Sequence, residues 1–369
     1  MRTDVTRRQF LGAAGAGLIV TPAAAQLRVP EPPGRKLGYA LVGLGSLAIN
    51  QVMPAFAKCE KSRLTAFVSG SPDKARQLAL RYNVPEKNIY RYENYDTIRD
   101  NPDVDIVYVI LPNSMHAEYT IRAAKAGKHV LCEKPMANTP EDCRQMIEAC
   151  RAAGRKLMIG YRLRYEPYNQ QLIKLARGNE FGPLKVVLAD AGFNIGDPAQ
   201  WRLNRKMAGG GSLMDIGIYA LQATRYLTGA EPTDVHAMSY STPDDPRFKE
   251  VEETITFQLR FPGGVLANCT SSYGAGLNRF RIVGPKGWAE LEPALSYTGL
   301  RMRVGAGGRV EERTLPIVDH FAAEMDHFSA SIMNGTDPLT PGEEGLRDLT
   351  IMMAIYKSAE SRTPVKLSA

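Results

Sequence analysis

With 369 residues, 44% of them hydrophobic and 23% charged, the chain has the composition of an ordinary soluble protein and the length for two globular domains at ~150 residues each. Its net charge of +7 is spread over mixed charges, and no dense Lys/Arg block with interleaved aromatics argues for nucleic acid as a partner. Five cysteines, odd in number and without a C-x-x-C, and five histidines without metal-ligand spacing signal neither a disulfide framework nor a metal site.

Residues 1–25 have a basic start (Arg2, Arg7, Arg8), an apolar run from Phe10 to Val20 and Ala23-Ala24-Ala25 before Gln26, the pattern of a removable signal. The run falls short of the ~20 apolar residues that span a bilayer, which favours cleavage over a membrane anchor. No later stretch is long enough to span either, so no membrane span is expected after cleavage. Arg7-Arg8 followed by Gln9-Phe10-Leu11 resembles a twin-arginine signal, whose route carries folded cargo to the periplasm. Cleavage takes away three Arg and one Asp and leaves a net charge of +5. Residues 26–36, with three Pro and one Gly, predict an extended arm without helix.

From Leu37 to Gly160, short apolar runs (LGYALVG, LTAFVSG, DIVYVIL, KHVLC) alternate with amphipathic helical stretches. The fold class is α/β, and this rhythm predicts a doubly wound parallel sheet over 37–160. In residues 161–369 the pattern changes to strands such as KVVLADAGFN, DVHAMSYS, EETITFQLRF, GVLANCTSSY and RFRIVG, which predict a mostly antiparallel sheet. Helices are expected from Ser212 to Leu227, His320 to Met333 and Glu343 to Glu360. Cys143 and Cys150, seven apart on a helix, lie ~10 Å from each other along its axis, beyond disulfide reach.

Gly43-Leu44-Gly45-Ser46-Leu47-Ala48 follows a strand and opens a helix, the context in which a G-x-G-x-x-A match holds a dinucleotide pyrophosphate. The next strand ends Ser69-Gly70-Ser71 and lacks the acid that bonds an NAD ribose. Lys74 and Arg76 follow, and a hydroxyl with a cation suits the 2′-phosphate of NADP better, although both bases could be solvated helix residues. Two further strand ends, Leu111-Pro112-Asn113-Ser114-Met115-His116 and Cys132-Glu133-Lys134-Pro135, fall at the carboxyl edge where such sheets bind ligands. Lys134 there is a candidate to orient a hydroxyl or to shift a neighbouring acid/base group. In GGGSLMDIGIYALQ, Asp215 and Tyr219 are four apart on one helix face, and Gly209 to Gly211 leave room for a ligand. Spacing alone leaves open whether Asp215 is a first-turn helix charge and Tyr219 a core aromatic.

Gly43-x-Gly45-x-x-Ala48, Glu133-Lys134-Pro135, Gly160-Tyr161-Arg162 and GGGSLMDIGIY together resemble the glucose-fructose oxidoreductase family, within the larger group that includes inositol dehydrogenase. The resemblance implies a Rossmann domain and an α/β domain whose open sheet forms a homodimer, possibly paired into a tetramer. It implies Lys134, Asp215 and Tyr219 as the catalytic group, with Tyr219 as acid/base. Ser69 and Lys74 would hold the 2′-phosphate. Tyr92, Asn113, His116, Glu133, Arg162, Trp201, Arg202 and Tyr297 would line the cofactor, beside Gly43, Leu44, Gly45, Ser46, Leu47, Gly70 and Leu111. The expected activity is oxidation of an aldose at C1 by tightly bound NADP(H), with the hydride passed to a second sugar. The alternatives are an aldose 1-dehydrogenase with dissociable NADP and a non-enzymatic NADPH sensor.

Overall fold

The computed structural model describes residues 36–367; the expected signal and the arm up to residue 35 lie outside the described residues. Strands β1 (Leu37–Val42), β2 (Ser62–Val68), β3 (Ile89–Tyr90), β4 (Ile106–Val109), β5 (His129–Glu133) and β6 (Leu157–Gly160) form one sheet in the order β3-β2-β1-β4-β5-β6. All its pairings are parallel. Such strands are buried on both faces: Tyr39 and Leu41 of β1 enter one apolar cluster, Ala40 and Val42 the other. The register brings the strand ends level, because Val42 pairs Val109, Val109 pairs Cys132 and Glu133 pairs Gly160. The turns after β1, β4, β5 and β6 therefore open along one edge.

The second sheet contains β7 (Val186–Gly192), β8 (Asp234–Tyr240), β9 (Thr254–Arg260), β10 (Leu266–Ser272), β11 (Leu277–Gly284), β12 (Gly287–Leu291), β13 (Met302–Ala306), β14 (Arg309–Arg313) and β15 (Val365–Lys366). Its order is β14-β13-β12-β11-β7-β10-β9-β8-β15, and only the β7–β10 pair is parallel. In β9, Ile255, Phe257 and Leu259 are buried while Gln258 and Arg260 are exposed, the alternation of a sheet covered on one side. The helix Ile218–Thr228, with every residue up to Leu227 buried, lies on the covered side.

Two helices from the C-terminal part cross back to the first sheet. His320–Met333 is capped by the Asp319 carboxylate, which accepts from the N–H groups of Phe321 and Ala322. Its Phe321, Met325 and Phe328 join Tyr39, Leu41 and Phe67 in one cluster, and the Tyr39 hydroxyl donates to the Met325 carbonyl at 2.8 Å. Asp326 accepts from the N–H groups of Glu60 and Lys61. The helix Gly342–Ser361 packs against β6, β8 and the helix Pro140–Ala152, touching both sheets. All five cysteines are free and buried. Among the described residues no helix is long and apolar enough to cross a membrane, and no His/Cys/Asp/Glu group could hold a metal.

Candidate active site

The two glycines that open the first turn have different reasons to be glycine. Gly43 has φ +95°, and a Cβ there would lie 2.3 Å from the Ile110 carbonyl oxygen, so β1 and β4 close up only around glycine. Gly45 is exposed, and a Cβ would meet no protein atom within 4 Å. Protein packing does not require glycine at 45, whereas a pyrophosphate drawn against the backbone does. Leu44 turns into the core, while Ser46 and Leu47 start the helix and face the cleft. The N–H groups of that first turn have no intrahelical acceptor and are free to meet an anion.

At the end of β2, Ser69 is buried and its hydroxyl accepts the Ser71 N–H at 3.0 Å. Gly70 is exposed beside the ring of Tyr92, which a Cβ would approach to 3.1 Å. Of the two cations named from the sequence, Arg76 is engaged by Asp73 at 3.0 Å and Glu86 at 3.5 Å. Lys74 is exposed and has no carboxylate partner among the described residues. The residues present thus fit a dinucleotide carrying a 2′-phosphate, with Lys74 as the available charge.

The loops after β4 and β5 are tied together from behind. His116 is fully buried, one ring nitrogen 2.8 Å from the Leu111 carbonyl and the other 2.9 Å from that of Pro135. Asn113 is buried and donates to the Ala208 carbonyl at 2.9 Å. Glu133 accepts from the Tyr108 hydroxyl at 2.7 Å and from the Lys134 N–H at 3.2 Å; burial pushes its carboxyl pKa up.

Between this edge and the second sheet lies a cleft of about 600 Å³, walled by Lys134, Arg162, Arg202, Asp215, Tyr219 and Tyr297, with Phe193 and Gln200 on the loop after β7. The Lys134 ammonium donates to the Asp215 carbonyl at 2.5 Å, stands 3.4 Å from its carboxylate and 4.6 Å from the centroid of the Tyr219 ring. Burial would lower the lysine pKa, but Tyr219, Asp215 and Glu133 outweigh it and the pKa is raised. Lys134 is therefore a fixed cation. Asp215 also accepts from Arg202 at 3.0 Å and from the Tyr273 hydroxyl at 3.1 Å. Burial pushes its pKa up, yet Arg202, Lys134 and the Tyr273 bond prevail and hold it below the usual carboxylate range.

The expected catalytic trio is one cluster, and Asp215 and Tyr219 are neither a solvated helix charge nor a core aromatic alone. The Tyr219 hydroxyl accepts from Arg162 Nε at 3.2 Å, while Lys134 lies over the ring. Arg202 is held on Asp215 and stacks on Trp201 at 4.6 Å, and Trp201 itself is outside the cleft wall. Tyr297, 45% exposed, stacks on the Arg162 guanidinium at 4.5 Å. One expectation is corrected. The space beside Gly209 to Gly211 is filled by protein, since a Cβ at each would strike Asn138, Tyr356 or Glu252, and Glu252 accepts the N–H groups of Gly211 and Leu213. Those glycines seat the helix that carries Asp215 and Tyr219 rather than a ligand. Sequence reasoning missed Tyr273 and His320, which reach Asp215 and Arg162 from distant elements, and Glu252, which holds the start of the Asp215 helix.

A parallel nucleotide-binding sheet whose edge faces a lysine–aspartate–tyrosine cluster across a cleft defines a nicotinamide-dependent oxidoreductase of two sheets. Residues 37–161 match the oxidoreductase family with an NAD-binding Rossmann fold, and residues 173–367 match its C-terminal alpha/beta domain. The chain belongs to this GFO/IDH/MocA oxidoreductase family. It is 55% identical to the crystal structure of aldose-aldose oxidoreductase from Caulobacter crescentus complexed with glycerol, over 90% of this chain and 100% of that one, with a TM-score of 0.89. It is 32% identical over 343 residues to D-xylose 1-dehydrogenase [NADP(+)] of Haloarcula marismortui, covering 89% of this chain and 92% of the relative. D-glucoside 3-dehydrogenase of Escherichia coli is 27% identical over 90% of this chain and 97% of its own.

Proposed function

We propose that the protein is an exported sugar oxidoreductase with tightly bound NADP(H), oxidising an aldose at C1 to an aldonolactone and reducing a second sugar to an alditol. The observation that carries this reading is the Lys134–Asp215–Tyr219 cluster facing the glycine turn, in a chain 55% identical to an aldose-aldose oxidoreductase. When bound, the nicotinamide supplies the store from which hydride is taken and returned. Gly45, Ser46 and Leu47 would hold the pyrophosphate, and Ser69 and Lys74 the 2′-phosphate.

Tyr219 carries the proton. As the C1 hydrogen leaves with its electron pair, the C1 hydroxyl gives its proton to the Tyr219 oxygen, which begins the step without one, and the C1–O double bond forms. The second sugar's carbonyl carbon later gains a hydride, and its oxygen takes that proton back. One turnover then needs no proton from solvent. Lys134, fixed as a cation by Asp215, steadies negative charge on the reacting oxygen. Arg202 and Tyr273 hold Asp215 and so fix the lysine.

Export supports the tight cofactor: the twin-arginine pattern suits cargo folded around its nucleotide, and a nucleotide lost outside is not replaced. The open face of the second sheet exposes Met238, Tyr240 and Leu266, which supports a homodimer formed there.

Protein purified without added nucleotide is expected to carry NADP(H) through gel filtration, and its nicotinamide absorbance should change on adding one sugar and return on adding a second. A second reading, an aldose 1-dehydrogenase with dissociable NADP, is favoured by the Haloarcula relative. Protein that emerges empty and turns over only with soluble NADP+ would establish it instead. Bound NADPH that no sugar oxidises would leave only a sensor.

A further inference from the structure

Among the described residues, the group that hydrogen-bonds the Tyr219 hydroxyl is Arg162. Its Nε donates to that oxygen at 3.2 Å, and the rest of the guanidinium is held on three other sides. One terminal nitrogen donates to the Leu295 carbonyl at 2.6 Å, the other lies 3.2 Å from His320 Nδ1, and the ring of Tyr297 covers one face. Arg162 and His320 are buried, at 6% and 2% exposure. Arginine has no acceptor and is always charged, so His320 Nδ1 must present a lone pair and the ring proton must sit on Nε2. A second ring proton would face the guanidinium directly. Burial first, then the charge of Arg162, lowers the His320 pKa to about 4, which keeps that acceptor available at neutral pH.

We infer that Arg162 is a catalytic residue that steadies the negative Tyr219 oxygen when it has no proton, and that His320 is the positioning residue that aims it. The inference rests on the reading of Tyr219 as proton carrier. The step balances without an added reactant: the proton moves between the sugar oxygen and the Tyr219 oxygen, and the Arg162 N–H is retained throughout. Lys134 bonds Asp215 and lies over the Tyr219 ring, whereas Arg162 supplies the hydrogen bond to the Tyr219 oxygen among the described residues. Arg162 comes from the turn after β6 and His320 begins the returning helix, so the two parts of the chain meet at the guanidinium that bonds the Tyr219 oxygen.

The test is a double-mutant cycle on the holoenzyme, with cofactor occupancy followed by absorbance and kcat and KM measured separately. Arg162→Lys is expected to lower kcat ~10²-fold with little change in KM or occupancy, and to add almost nothing in a Tyr219→Phe background. His320→Leu should lower kcat in the same way, and His320→Asn, whose side-chain oxygen can replace Nδ1, should recover most of that loss. If Arg162→Lys multiplies the Tyr219→Phe defect in full, or if its loss is repaired by added NADP+, the inference is overturned while the acid/base reading stands. If Tyr219→Phe alone stays within a few-fold of wild type, both are overturned. Should Arg162→Lys fail to fold, the His320 pair decides: equal rates in Asn and Leu variants refute the positioning role.

Discussion

Removing the Asp215 carboxylate should cost stability as well as rate, and the size of the loss follows from what it leaves behind. Asp215 stands between two cations, Lys134 at 3.4 Å and Arg202 at 3.0 Å, whose side chains are only 11% and 34% exposed. Truncating one partner of a buried pair costs roughly 3–5 kcal/mol, chiefly because the other charge stays desolvated and unpaired. Lys134 keeps its bond to the Asp215 backbone carbonyl and Arg202 is partly solvated, so the low end applies, about 3 kcal/mol for Asp215→Ala. At ~1–2 °C per kcal/mol for a chain of this length, this is a fall of roughly 4 °C in Tm, read by calorimetry of the holoenzyme. Adding Lys134→Met should recover much of the loss, because the stranded charge is gone, while activity stays lost. The sign of the pH dependence is also set. The folded pKa of Asp215 is lowered, so its contribution is present above the unfolded value of ~3.9 and fades as pH falls through the lower folded value. A single variant as stable as wild type, or a double variant whose loss is the sum of both single losses, would refute the reasoning.

Gly45→Ala should keep wild-type stability within about 1 kcal/mol and lose bound nucleotide, whereas Gly43→Ala should destabilise the apoprotein, since its Cβ meets the Ile110 carbonyl at 2.3 Å; equal effects on folding and binding would contradict the separation. Lys74→Ala should weaken NADP+ roughly 10–100-fold, the worth of a charged hydrogen bond, and leave NAD+ affinity unchanged, as measured by fluorescence titration of apoprotein. Glu324 is fully buried with neither carboxyl oxygen partnered among the described residues, and burial, then Glu133, raise its pKa well above normal. Its folded pKa is raised, so its contribution is complete below the unfolded value of ~4.3 and is lost as pH rises. Glu324→Met should therefore stabilise the protein by ~1–3 kcal/mol at pH 8, with the gain shrinking toward pH 4, in urea unfolding curves. A gain that is constant with pH would contradict this.

What could be read in the residues depended on whether a local pattern existed. β1, β2, β4 and β5 are continuous apolar runs, and the first sheet is legible from them. β3 has two residues, and β14, Arg-Val-Glu-Glu-Arg, is exposed along almost its whole length, so neither carries an apolar period. Lys134, Asp215 and Tyr219 sit in short motifs, and the structure brings them to one cleft with Arg162, whose bond to Tyr219 no local pattern announces. Tyr273 and His320 come to the cluster from 58 and 158 residues away from their partners, a relation no local spacing encodes. Glu324 did leave a signal. It shares a helical face with His320 and sits beside Phe321, Met325 and Phe328, and an acid on an apolar face asks for an explanation. Gly209 to Gly211 show the opposite limit, because a glycine run reads the same whether a ligand or the protein's own side chains fill the space.

The returning helix also sets an order of events during synthesis. One face of the first sheet is covered by Val52, Met53 and Phe56 from the segment after β1 together with Phe321, Met325 and Phe328, and the Tyr39 hydroxyl finds its acceptor 286 residues downstream. At ~5–20 residues per second, the ribosome needs roughly a quarter of a minute to a minute to bridge that separation. Through that interval Tyr39, Leu41 and Phe67 lack the part of their cover that Phe321, Met325 and Phe328 supply, and the nascent nucleotide-binding half exposes that apolar surface. The half that binds nucleotide is thus made first and finished last, and a chain cut short before residue 320 should precipitate rather than yield a free-standing Rossmann domain.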